Sequence, residues 1–178
     1  MGNDTVLLVI DVQMGLFLLE DEGCRLFEPE RVLENINVLL EKARGKGVPV
    51  VYIQHTGSGA SPFAVGNPMR DINPAIAPLE GELVVPKTHP DSFHDTVLKE
   101  KLDAMGVKKL VICGLQSEYC VDTTVRRAFS LGYDLTFVSD AHSTFDNGVI
   151  TASQVIAHEN KTIGGTFAAL KKAAEVVF

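Results

Sequence analysis

The chain has 178 residues, a net charge of −7 and three cysteines, enough length for one domain over residues 1–178 that buries roughly two-thirds of its unfolded surface without staples. Its acidic balance, with a pI near 5.2, excludes the basic stripe that nucleic-acid binding requires. An odd cysteine count without a CxxC pair argues for a reducing, cytoplasmic setting, and the short apolar run that follows Asp4 is too brief for a signal core or a membrane span.

Thr5-Val-Leu-Leu-Val-Ile10 is a continuous apolar run of the kind buried on both faces of a parallel sheet, and Asp11 follows at its carboxyl end. Val12 to Arg25 mixes Phe17 and Leu18 with the acids Glu20, Asp21 and Glu22; these oppose thiolate formation at Cys24, which reads as inert and exposed. Pro29 opens a helix whose apolar face is Val32, Ile36, Leu39, Leu40 and Ala43, stopped by Gly45 or Gly47. Val48 to Ile53 is a second strand, with Pro49 at its start and Gln54 and His55 after it. Residues 57 to 81 hold four of the eight prolines and no periodicity, and are read as a covering loop with one turn near Asp71 to Ile76. Glu82 to Pro86 is a third, short strand with Lys87 behind it. Phe93, Val97, Leu98, Leu102 and Met105 mark a helix closed by Gly106, and Lys108 to Cys113 is the fourth strand.

A helix over Glu118 to Leu131 follows, with Val121, Val125, Ala128 and Phe129 on one face, then a fifth strand, Tyr133 to Val138. Ile150, Val155 and Ile156 suggest another helix, and Thr166 to Val177 a weaker strand-and-helix ending. Alternating strands and helices imply βαβ crossovers and a doubly wound α/β domain with a mainly parallel sheet covered on both faces. In such sheets, sites form beyond the carboxyl ends of the strands. Asp11, Lys87 and Cys120 all follow such ends. Cys120 falls in the first turn expected of its helix, where unpaired N–H groups and the macrodipole favour thiolate. Asp11 could take the thiol proton and return it to a leaving nitrogen, Lys87 could depress the pKa of either partner, and N–H groups of the 115–120 turn could receive an oxyanion. Cys113, ending an apolar strand, is core.

The words Leu8-Val-Ile-Asp11-Val-Gln13, Val85-Pro-Lys87 with Ser92-Phe93 and Thr96 to Leu98, Gly114-Leu-Gln-Ser-Glu-Tyr-Cys120-Val-Asp-Thr-Thr and Ser139-Asp-Ala141 resemble the isochorismatase-like cysteine hydrolases. That superfamily includes nicotinamidases, carbamoyl-amide, ureidoacrylate and biuret amidohydrolases, streptothricin hydrolase and isochorismatase. The resemblance runs nearly end to end. It implies a six-stranded sheet with helices on both faces, a catalytic triad of Asp11, Lys87 and Cys120, a cis peptide between Leu115 and Gln116, and an oxyanion hole from the N–H groups of Gln116 and Cys120. It also implies a homo-oligomer, a dimer or larger.

Departures narrow the expectation. Nicotinamidases hold a metal with an Asp-x-His pair and a further His after the second strand; here the residues are Gln54-His55-Thr56-Gly57, so neither metal nor cofactor is expected. Asp140-Ala-His142 and His158-Glu159 each lack a third ligand, and a lone His at a strand end is more often hydrogen-bonded structure. The residues before Cys120 look most like the streptothricin-hydrolase branch. Because the vinyl-ether reaction on isochorismate can proceed without the cysteine, a retained Cys120 favours cleavage of a small-molecule amide, lactam or carbamoyl C–N bond. Vinyl-ether hydrolysis and a thiol redox or sensing role stand as alternatives, while a nucleotide-binding role lacks its GxGxxG. Substrate contacts are expected from Gln13, Phe17, His55, Phe93, Gln116 and Tyr119.

Overall fold

The structure, a computed structural model, describes residues 4–18 and 25–178. Glu20 to Glu22 and Cys24 lie outside them. Six strands form one sheet: β1 (Thr5–Ile10), β2 (Val50–His55), β3 (Leu83–Lys87), β4 (Lys109–Leu115), β5 (Asp134–Ser143) and β6 (Ala169–Lys171). They lie in the order β3-β2-β1-β4-β5-β6 and every pairing is parallel. The order reverses between β1 and β4, which opens a crevice beyond their carboxyl ends.

Both faces of the sheet are buried, as all-parallel sheets require. Leu7, Val9, Tyr52, Val111 and Cys113 point to one side, where Val32, Ile36, Leu39, Leu40 and Ala43 of helix α2 (Pro29–Gly45) cover them. Val6, Leu8, Ile10, Ile53 and Ile112 point to the other. There they meet Leu98 and Leu102 of α3 (Leu98–Ala104), Val125 and Ala128 of α4 (Asp122–Ser130) and Ile163 of α5 (Ala152–Ile163). The alternation along each strand divides one apolar run between two cores, and each fully buried Leu or Ile contributes about 1.5–3 kcal/mol. α5 begins at a capping box between Thr151 and Gln154. Among the described residues, no helix is long and apolar enough to cross a membrane.

Several boundaries differ from the sequence reading. β2 starts after Pro49 rather than through it, because proline can donate nothing to the ladder. The loop over 57–81 has two 3₁₀ turns, Pro68–Arg70 and Pro74–Ile76, each opened by an asparagine whose side chain accepts the N–H two residues on. β5 runs on to Ser143, because β4 resumes pairing with it at Gly114 and Leu115 after a register shift. The helix before Gly106 starts only at Leu98; Asp91 to Thr96 are held instead by side-chain to backbone hydrogen bonds. Gly114, at φ +127° in the register shift, lies so close to β1 that a Cβ would collide with the Ile10 backbone.

Candidate active site

Asp11, immediately after β1, sits at φ +50°, in the left-handed region that a short polar residue tolerates. Lys87, the last residue of edge strand β3, reaches across the end of β2 to it. Nζ lies 2.6 Å from Asp11 Oδ2, both side chains are almost wholly buried, and Nζ also donates to the His89 carbonyl at 3.0 Å. The contact is an ion pair rather than an aligned hydrogen bond, so both carboxylate oxygens remain buried without a well-angled donor. Burial pushes the Asp11 pKa upward, and the attraction of Lys87 offsets only part of that shift.

Cys120 approaches the pair from β4. The peptide joining Leu115 to Gln116 is cis. Beyond it the chain makes a wide π-helical turn, Ser117–Val121, in which the Tyr119 and Val121 N–H groups both reach the Gln116 carbonyl at 3.2 Å. Such turns recur at functional sites. Cys120 therefore stands in this turn and not in the first turn of α4. Against the thiolate expected from a helix start, burial first and the charge of Asp11 second push the thiol up to about 12, opposed by the pull of Lys87. Desolvation outweighs the lysine and favours the neutral thiol.

A buried relay fixes the turn. Asn160 Nδ2 donates to the Ser139 carbonyl at 3.0 Å, which turns its Oδ1 toward His142 Nε2, 3.1 Å away. Nε2 therefore carries the ring proton, and His142 Nδ1 accepts from the Ser117 hydroxyl at 2.8 Å. Burial pushes His142 down to about 4, so the imidazole stays neutral. Glu118 Oε1 accepts from Thr144 at 2.9 Å on the next residue of the turn. His142 is thus hydrogen-bonded structure, as is His158, which pairs with Thr162.

The pocket at this crevice measures about 200 Å³ and is lined by Asp11, Gln13, Leu16, His55, Phe63, Leu115, Gln116 and Cys120. Gln13 is fully buried. Its Nε2 donates to the His55 and Arg70 carbonyls at 2.9 and 2.7 Å and its Oε1 accepts the His55 N–H at 2.8 Å, so it works chiefly as a clamp between β2 and the covering loop. The His55 ring packs edge-on to Phe63 at 6.0 Å, and burial, with Lys87 next, lowers its pKa.

Three expected contacts do not line the pocket. Phe17 packs against the α2 core, Phe93 is buried in the other core and stacks on Tyr133, and Tyr119 is 53 % exposed. Sequence proximity misled because the helical turns at Phe17 and Tyr119 send neighbouring side chains in different directions, while the loop at Phe93 turns its ring into the core. Leu16 and Phe63 were the missed wall. Phe63 comes from the covering loop and fits because Gly15 of α1 (Met14–Leu18) offers no Cβ against its ring; a small residue opposite a loop aromatic was the available signal.

The Isochorismatase domain family model matches residues 5–160. The chain belongs to the isochorismatase family. It is 36% identical over 173 residues to the isochorismatase family protein YddQ of Bacillus subtilis, covering 94% of this chain and 95% of that one. It is 40% identical over 140 residues to a streptothricin hydrolase of Streptomyces noursei, covering 79% of this chain and 50% of that one. The crystal structure of an isochorismatase from Pseudomonas putida KT2440 superposes with a TM-score of 0.87 at 34% identity, over 98% of this chain and 90% of that one. The all-parallel six-stranded sheet is that of its family neighbours, and the chain is an isochorismatase-family hydrolase.

Proposed function

We propose that this hydrolase cleaves a C–N bond of a small amide, lactam or carbamoyl compound through a thioester on Cys120. The observation that carries the reading is that Cys120 and Asp11 line one pocket of about 200 Å³, with Lys87 buried against the Asp11 carboxylate. That volume is below the roughly 300–1,000 Å³ of drug-sized sites, which favours a small substrate. The amide-cleaving reading agrees with the likeness to a ureidoacrylate amidohydrolase of Variovorax paradoxus, 26% identical over 188 residues.

In the first half-reaction, sulfur attacks the carbonyl carbon while the thiol proton passes to Asp11. The carbonyl π electrons move to oxygen, where the N–H groups of Gln116 and Cys120 receive the negative charge, a contribution of about 3 kcal/mol per donor. Collapse of the tetrahedral species breaks the C–N bond, and Asp11 gives its proton to the departing nitrogen. In the second half, Asp11 deprotonates water, the resulting oxygen nucleophile attacks the thioester, and the carboxylic or carbamic acid leaves as the thiol is restored.

The raised Asp11 pKa suits this exchange, since a stronger base is better matched to a thiol near 12. Lys87 opposes the burial that raises the Asp11 pKa and so favours its carboxylate form. A thiol held so high also disfavours a redox or sensing role, which relies on a resident thiolate. The test is a panel of small amides, lactams and carbamoyl compounds, quenched during turnover and analysed by mass spectrometry for an acyl group on Cys120. Adduct and turnover are both expected to vanish in Cys120→Ala. Full activity of that variant on a substrate of the wild type would sink the mechanism and favour vinyl-ether-type chemistry.

A further inference from the structure

Between Lys87 and α3 the chain carries three ligating side chains that the proposed hydrolysis does not use. His89, His94 and Asp95 are exposed, and one ligand atom from each lies within 4.8 Å of the other two. His94 Nε2 is 3.4 Å and His89 Nε2 4.0 Å from the same Asp95 oxygen, Oδ2. The imidazole centroids are 4.4 Å apart with the ring planes at 87°. Metal bonds of about 2.0–2.1 Å in a tetrahedral site set ligand atoms about 3.3 Å apart. The observed spacings need only small side-chain rotations to reach that value.

The residues between the ligands are fastened down. Ser92 is fully buried; its N–H donates to Thr124 Oγ1 at 3.1 Å and its hydroxyl meets the same oxygen at 2.8 Å, which ties the loop to α4. Asp91 accepts the Phe93 N–H at 2.8 Å, Thr96 donates to the Ser92 carbonyl at 2.7 Å, and the Phe93 ring stacks on Tyr133. Asp95 stands at φ +52° between these anchors. A loop already ordered by its own hydrogen bonds loses little freedom when a ligand joins three of its side chains. The cluster is tied to the buried ion pair by one bond, since the His89 carbonyl accepts from Lys87 Nζ.

We propose that His89, His94 and Asp95 bind one divalent transition-metal ion of the zinc, nickel or copper class, with water completing its coordination. Two imidazole nitrogens and one carboxylate select these ions over magnesium and calcium, which prefer all-oxygen shells. The position lies after the third strand and uses neither Cys120 nor His55.

The test is calorimetric titration of the full chain with Zn²⁺ and with Ni²⁺, paired with Co²⁺ absorption spectroscopy. One ion per chain is expected, with a Co²⁺ spectrum free of thiolate charge-transfer absorption. His94→Gln and Asp95→Asn should each weaken binding by about tenfold or more, and His89→Gln with His94→Gln together should abolish it. All three side chains are exposed, so the variants should keep the wild-type urea midpoint, and folding is checked that way. No binding by the wild type, undiminished binding in the double variant, or a thiolate band in the Co²⁺ spectrum would each overturn the assignment. None of these readouts depends on hydrolytic activity.

Discussion

Replacing Lys87 by Met keeps the apolar stem of the side chain and removes the cation 2.6 Å from the Asp11 carboxylate, in a place where neither group meets water. An unpaired buried carboxylate costs about 3–5 kcal/mol. The chain has one escape, which is to protonate Asp11. For an ordinary carboxyl near 3.9 that costs about 1.4 kcal/mol per pH unit, or about 4 kcal/mol at pH 7. Lys87→Met should therefore lose about 3–4 kcal/mol at pH 7. Because losing Lys87 lifts the folded-state pKa of Asp11 further above its unfolded value, stability is fully present below the unfolded pKa and falls more steeply as pH rises. The loss should shrink by up to about 1.4 kcal/mol per unit on acidification and nearly vanish around pH 4. Urea denaturation at several pH values, comparing Lys87→Met with Asp11→Asn/Lys87→Met, measures this directly. The double variant should regain most of the loss and show no such slope. A pH-independent deficit, or a double variant as unstable as the single one, would refute the account of the pair.

Asp11→Asn should abolish amide hydrolysis yet speed alkylation of Cys120 by iodoacetamide at pH 8 by about tenfold, because the carboxylate is one of the groups holding the thiol up at about 12; slower labelling, followed by mass spectrometry, would contradict this. Gly114→Ala should cost about 3 kcal/mol or more, read from the urea midpoint, since the methyl group meets the Ile10 backbone at a φ that alanine resists. Glu159, buried beside Asp122, is pushed up to about 7 by burial first and that neighbour second. Its folded pKa is raised, so its stabilising protonated form is lost as pH climbs through 7. Glu159→Gln should accordingly stabilise the protein at pH 8 by on the order of 1 kcal/mol, and by much less at pH 5. Equal effects at both pH values in thermal melts would count against it.

The strands were legible because a run such as Thr5 to Ile10 has no other stable home than a doubly covered sheet. Their order was not, since nothing in the spacing of Val50 to His55 says that β2 lies between β1 and β3. Asp11, Lys87 and Cys120 were readable as residues beyond strand ends. Their protonation was not: a helix end is local and visible in sequence, whereas the burial and the carboxylate that govern the thiol come from segments distant in the chain, Asp11 after the first strand among them. The same limit applies to the pocket wall. Phe63 belongs to a loop without periodicity, and only the space left by Gly15 gives it a place. Ser117, His142 and Asn160 were likewise scattered letters until the fold assembled their hydrogen bonds.

Pro86 stands next to Lys87 in β3, at one margin of the sheet. The Lys87 carbonyl accepts the Thr56 N–H at 2.7 Å, so Lys87 turns its backbone inward to β2 and Pro86 turns its own toward the open side. A proline there sacrifices no ladder bond, and it leaves a gap in the row of donors that an arriving strand would need. The edge that presents the lysine is thereby protected from strand addition by another chain. Substituting Pro86 would put at risk the protein's solubility before its chemistry.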